Sequence, residues 1–251
     1  MKVLGCFKVV PDLDLIIEED WAVKNQSQID TGYVKLVWNC FDESALEMML
    51  RLSDLSEGFD VVYELSAITV GKKKHESFLK TLYALGFDHG IRISTEEEQL
   101  FCPEQIAQGI AGYVKNIQMQ DVIITGIQSS DGSNQKTPYL IAEKLGWPCI
   151  THVTAAESVD EGHLKVTSQV SGGLLVQTVK TPCVLAVGNT ECSCLRIPTL
   201  KDKMRLGKKP IEVIEPESVG MTEKKETVRL LRLDPVDRTR NTVVIERDSP
   251  K

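Results

Sequence analysis

Asp121-Val-Ile-Ile-Thr-Gly126-Ile-Gln-Ser-Ser-Asp131-Gly-Ser-Asn-Gln-Lys136-Thr-Pro-Tyr-Leu-Ile-Ala-Glu-Lys-Leu145 is the stretch from which the fold of this 251-residue chain is read. Val122 to Thr125 is an uncharged, β-branched run closed by a glycine, the pattern of a strand buried on both faces. A polar, glycine-bearing loop follows. Apolar residues at helical spacing then predict a helix around Gln135 to Leu145, with Ser133 and Asn134 as candidate caps.

The same unit repeats upstream. Val3 to Val10 reads as a buried strand ended by Pro11-Asp12, and Val61 to Val70 as another closed by Gly71; Ile91-Arg92-Ile93 is a brief third. Between them, a helix opens at Phe41-Asp42 with Asp42 as its cap and Ala45, Leu46, Met49, Leu52 and Leu55 on one face. A second carries Phe78, Leu79, Leu82 and Leu85 and stops at Gly86. A third starts at Pro103. This alternation predicts an α/β fold, a Rossmann-like parallel sheet covered by helices, with ligands at the carboxyl ends of its strands. Those ends are Val9-Val10-Pro11, Val70-Gly71 and Thr125-Gly126.

Downstream of Gly146-Trp147-Pro148 the pattern changes. Cys149 to Ala155, Leu164 to Val170, Leu174 to Val179 and Cys183 to Val187 read as strands without intervening helices, joined by turns at Glu161-Gly162 and Gly172-Gly173. They predict an antiparallel extension. Leu200 to Leu206 forms a short helix ended by Gly207. From about Thr222 the chain is highly charged and poor in core residues, so a nucleotide-binding α/β domain over 1–220 and a C-terminal arm over 221–251 are expected.

Bulk properties narrow the function. A formal net charge of −7 opposes nucleic-acid binding through the overall field. No apolar run reaches the length of a membrane span, and Met1-Lys2-Val3-Leu4 leads into a strand without the regions of a signal peptide. Seven cysteines, at 6, 40, 102, 149, 183, 192 and 194, include no C-x-x-C pair. They read as reduced thiols of a cytoplasmic protein, and Cys192-Ser193-Cys194 lacks zinc-ligand spacing. Walker A, G-x-G-x-x-G, H-E-x-x-H and G-x-S-x-G motifs are absent, which favours a carrier or binding module over a hydrolase, with no catalytic residue assigned. Read from its residues alone, the loop Gly126 to Thr137 is either a capped surface turn or an anion site, in which helix-start amides and Lys136 face a phosphate.

A resemblance bears on that choice. Val3-Leu-Gly-Cys-Phe-Lys8-Val-Val-Pro11-Asp12 is similar to the "VLVAVKRVPD" of electron-transfer flavoprotein beta subunits, and Asn39-Cys-Phe-Asp-Glu-Ser-Ala-Leu-Glu47 to their "NPFDEIALE". Asp131 to Gln135 resembles "DDDSNQTG", Leu145 to Pro148 resembles "LGWP", and Arg196 to Ile214 resembles "RYATLPNIMKAKKKPIEVI" without a gap. The resemblance covers roughly residues 2 to 220. It implies an electron-carrier subunit of the adenine-nucleotide-binding fold type, paired with an alpha subunit over which the C-terminal arm wraps. It also implies exchange with a flavin-dependent dehydrogenase or oxidoreductase.

The matching nucleotide-site positions are Cys6, Lys8, Asn39, Asp42, Val70, Gly71, Asp131, Gly132, Ser133, Asn134, Gln135, Lys136 and Thr137; Leu13 and Phe41 would face an FAD held mainly by the alpha subunit. Leu200, with Arg196, matches the partner-docking loop. The nucleotide of this chain's own site is open between AMP and a second FAD: Ser133-Asn134 follows the AMP form, while Asp131-Gly132, Gln135 and Pro138 follow the "DGDTAQVGP" of flavin-bifurcating relatives. The alternative reading is a stand-alone ATP-binding regulator of the universal-stress type.

Overall fold

The computed structural model describes residues 1–17, 23–24, 28–58, 61–95, 102–191, 193–221 and 231–234. It divides into two compact units, one of Met1–Pro11 and Leu36–Lys224, the other of Asp12–Lys35 and Lys225–Lys251. The second unit carries a short 3-10 turn at Leu13–Leu15 and two antiparallel strands, β3 (Val23–Lys24) and β4 (Gln28–Ile29). Most of the expected C-terminal arm lies outside the described residues.

The first unit begins with β1 (Lys2–Cys6) and β2 (Val9–Pro11), then β5 (Leu36–Trp38), α1 (Cys40–Asp54), β6 (Glu64–Gly71), α2 (Glu76–Leu85) and β7 (His89–Ser94). It continues through α3 (Pro103–Asn116), β8 (Val122–Gly126), α4 (Thr137–Leu145), β9 (Cys149–Asp160), β10 (His163–Val170) and β11 (Gly173–Lys180). It ends with β12 (Cys183–Val187), α5 (Leu200–Leu206) and β13 (Glu212–Ile214).

Nine of these strands form one sheet in the order β11-β10-β9-β12-β8-β1-β6-β7-β13. From β9 to β13 all neighbours are parallel; β10 and β11 add an antiparallel hairpin beyond β9. Two apolar layers cover the parallel part. Ala45, Leu46, Met49 and Leu52 of α1 pack with Leu79 and Leu82 of α2 on one face. Ala107, Ile110, Tyr113 and Val114 of α3 pack with Ile141 and Ala142 of α4 on the other. The α/β reading is therefore correct. Gly86 takes the left-handed conformation (φ 109°) that closes α2.

Four expectations need correction. The single strand over Val3 to Val10 is two strands: the Lys8 amide bonds to Asp42 Oδ2 instead of a neighbouring strand, and β2 leaves the large sheet to pair with β5. Asp42 does not cap α1. Asn39 holds the N-cap position, its carbonyl accepting from the Glu43 amide at 2.9 Å, and Asp42 lies inside the first turn. The helix expected around Gln135 starts at Thr137, and neither Ser133 nor Asn134 caps it. Finally, β12 is not part of the antiparallel extension; it lies parallel between β8 and β9 with every residue buried. Its continuous apolar run is that of a strand covered on both faces.

Candidate functional site at the strand ends

The strand order reverses at β1 and β8: the chain runs outward from β1 to β6 and β7 on one side, then returns to β8 on the other. In open parallel sheets that reversal opens a crevice at the carboxyl ends, where ligands bind. Here the first turn of α1 meets both strand ends. Asp42 is almost fully buried. Its Oδ1 accepts the Gly126 amide at 2.8 Å, and its Oδ2 accepts the Lys8 amide and Asn39 Nδ2, both at 2.9 Å. Burial pushes the Asp42 carboxyl up to about 6, against the lowering pull of those three donors and of the Lys8 charge.

Asn39 extends the bracing into the loop. Its Nδ2 donates to the Gln128 carbonyl at 2.8 Å, and its Oδ1 accepts the Ser130 amide at 3.1 Å. Lys8 Nζ reaches both oxygens of Asp131, at 2.7 and 2.6 Å. One helix start thus fixes both sides of the crevice. Cys6 ends β1 beside it; burial first, then the Asp42 charge, raises its thiol well above the usual range, so it stays neutral. Val70 and Gly71 close the adjacent strand β6.

Beyond Asp131 the loop is exposed. Gly132 donates to Ser129 Oγ at 3.3 Å, Ser133 Oγ to the Ser129 carbonyl at 2.9 Å, and the Lys136 amide to Asn134 Oδ1 at 3.0 Å. Ser133 (φ 46°) and Gln135 (φ 56°) are left-handed, with Asn134 between them. Such backbone costs about 1–3 kcal/mol per non-glycine residue and concentrates at ligand clamps. The Ser133 amide is taken by the Ser129 carbonyl at 2.9 Å, which closes the turn. Thr137 then opens α4, with Lys136 immediately before it.

Of the expected nucleotide positions, Lys8, Asn39, Asp42 and Asp131 are thus linked at the carboxyl ends of β1 and β8, with Cys6 at the end of β1 and Val70 and Gly71 at the end of β6. Phe41 lies half-buried in the first turn of α1. Leu13 belongs to the other compact unit, and Leu200 to α5. Arg196 is held by Glu47 and Asp54 of α1. Sequence reasoning missed Glu47, although the residue closes a quoted motif. It also missed Gln128 and Ser130, whose main-chain roles leave no side-chain signal. Among the described residues, no group of three or more His, Cys, Asp or Glu could hold a metal ion, and no helix is long and apolar enough to cross a membrane. Cys192 lies outside the described residues.

Residues 28–219 match the family described as "Electron transfer flavoprotein domain". The chain is similar to the "Putative electron transfer flavoprotein subunit YgcR" of Escherichia coli K12, with 31% identity over 84% of this chain and 80% of that protein. It is also similar to the "Electron transfer flavoprotein subunit beta" of Syntrophomonas wolfei, at 29% over 84% of this chain and 78% of that protein. The human protein of the same description is 28% identical over 88% of this chain and 86% of its own length.

Proposed function

The chain belongs to the electron transfer flavoprotein family, and on that premise we propose that it works as the beta subunit of a heterodimeric electron carrier. Its partner is the larger alpha subunit, which holds most of an FAD, and the pair exchanges electrons with flavin-dependent dehydrogenases or oxidoreductases in the cytoplasm. Family membership favours this reading over a stand-alone ATP-binding regulator.

The observation that carries the site assignment is the convergence of Lys8, Asn39, Asp42 and the Gly126–Asp131 loop at the strand-order reversal. The residues present fit a nucleotide. The start of α4 and Lys136 suit its phosphates. Asp42 and Asn39 position the loop rather than touch the ligand, because their polar atoms are already engaged within the chain. Between AMP and FAD, Lys136 and the Asp131-Gly132 and Pro138 positions favour FAD, which presents two phosphates to AMP's one. A second flavin here is the arrangement that electron bifurcation requires.

When bound, flavin supplies reversible one- and two-electron chemistry. The chain's own part is to hold the nucleotide, close one side of the flavin pocket through Phe41, and present a docking surface. Expression with and without the alpha subunit tests this: alone, the chain retains little flavin, and with the partner it yields a yellow heterodimer. A soluble yellow monomer with full flavin occupancy contradicts it.

A further inference from the structure

Glu47 is a charged residue only 5% exposed, on the second turn of α1 and away from the nucleotide crevice. Burying a carboxylate is costly unless it is paired and hydrogen-bonded. Arg51 Nε lies 3.6 Å from Oε1 one turn on, and the hydrogen-bonded partner comes from far along the chain. Arg196 Nη2 donates to Oε1 at 2.8 Å, Nε reaches both oxygens at 3.1 Å, and the Arg196 main-chain amide donates to Oε2 at 3.1 Å. Arg196 Nη1 adds a bond to Asp54 Oδ2 at 2.8 Å, two turns further along the same helix face. The preceding residue is fixed in the same way: the Leu195 amide donates to Glu43 Oε1 at 3.2 Å, and the Leu195 side chain is buried in the α1 core layer.

The chain changes character one residue later. Ile197 is 89% exposed, Leu200 74% and Met204 64%. Three large apolar side chains thus stand in solvent on α5 and its approach, among Lys201, Lys203 and Arg205. Thr199 caps α5 by accepting the Asp202 amide at 3.1 Å, so the helix is built locally. The helix packs against α2, and the anchored segment before it fixes where the chain enters it.

We propose that Glu47 is a positioning residue for partner docking: by clamping both the guanidinium and the main-chain amide of Arg196, it fixes the point on α1 from which Ile197, Leu200 and Met204 project. The proposal rests on the reading of this chain as an electron-carrier subunit. A carboxylate in a side-on pair with a guanidinium fork defines distance and orientation together, which a lysine or an amide does not. Glu43 and Glu47 use the same helix whose first turn braces the nucleotide loop, so one rigid element sets both surfaces.

The test uses the purified heterodimer with Glu47→Gln, Glu47→Asp and Arg196→Lys. Three readouts are taken: flavin content, reoxidation of the reduced protein by a small dye, and reduction by a flavin-dependent dehydrogenase for which the wild-type heterodimer is an acceptor. In Glu47→Gln, KM for the heterodimer in the dehydrogenase assay rises roughly tenfold, the scale of a lost charge-assisted hydrogen bond, while kcat, flavin content and dye reoxidation stay unchanged. Hydrogen exchange at Leu195 and Arg196 accelerates in parallel. Glu47→Asp, which keeps the charge, recovers part of the loss, and Arg196→Lys behaves like Glu47→Gln. Unchanged KM with intact flavin overturns the positioning role, as does a matching fall in dye reoxidation. A wild-type heterodimer that holds no flavin overturns the carrier reading itself, and is seen before any variant is made.

Discussion

Asp42 and Gly126, 84 positions apart in the sequence, are joined by a hydrogen bond of 2.8 Å from the glycine amide to Asp42 Oδ1. The first turn of α1 and the end of β8 are pressed together at that point. A Cβ added to Gly126 would lie 2.5 Å from Asp42 Oδ1 and 2.7 Å from the Asp42 nitrogen and the Phe41 carbonyl carbon. The last two are backbone atoms and cannot swing aside. Gly126→Ala therefore destabilises the protein by about 1–3 kcal/mol, the usual cost of overpacking, and lowers nucleotide retention. Urea unfolding of the heterodimer measures the first effect, and an unchanged midpoint contradicts it.

Asp42 gives a pH dependence of definite sign. Its carboxyl is raised from 3.8 to about 6 in the folded chain, chiefly by burial. Between those values the folded state binds the proton more tightly than the unfolded state. The stabilising contribution is fully present below about pH 4 and is lost as pH rises through about 6, spanning up to about 3 kcal/mol. The stability of wild type minus that of Asp42→Asn should fall over this window and be flat above it. Above about pH 6 the ionised carboxylate serves all its donors. Below it the neutral carboxyl accepts more weakly from its donors, so nucleotide retention weakens with a midpoint near 6 in wild type and without that midpoint in Asp42→Asn.

Lys136 precedes α4, where backbone amides already favour an anion. Lys136→Glu weakens the nucleotide of this chain by roughly tenfold, since a reversed charge at a helix start faces the phosphate. The flavin held by the alpha subunit stays bound. Equilibrium dialysis of the two ligands separates the effects, and joint loss of both means that Lys136 supports the subunit interface instead.

Leu200 is 74% exposed, so removing its side chain costs little folding free energy, within about 0.5 kcal/mol. As an apolar anchor it matters in the complex. Leu200→Ala slows electron exchange with a flavin-dependent dehydrogenase roughly tenfold, with flavin content intact. Loss of fold or flavin contradicts the docking role.

Much of the fold was legible where a local pattern determines structure. Val122 to Gly126 and the glycine stop at Gly86 are short-range signals, and both elements form as expected. The errors occur where a distant partner decides. The Lys8 amide is drawn away from the strand by Asp42, and Asp42 is drawn inward from a capping role by Gly126. Cys183 to Val187 looked like another hairpin strand because no helix precedes it, yet the chain returns it to the parallel core. The site was legible only as a set of positions. Which of them touch one another, and that Arg196 would be claimed by Glu47 149 residues away, depends on packing that no spacing in the sequence encodes.

The ligand content of the heterodimer reports most directly on the nucleotide crevice. Denaturing the purified protein and separating the released ligands counts them per heterodimer. Two nucleotides are predicted: the FAD held mainly by the alpha subunit, and a second FAD from the crevice of this chain. One FAD with one AMP keeps the crevice as a nucleotide site but overturns the second flavin. One FAD with no second nucleotide contradicts the site formed by Lys8, Asn39, Asp42 and the Gly126–Asp131 loop.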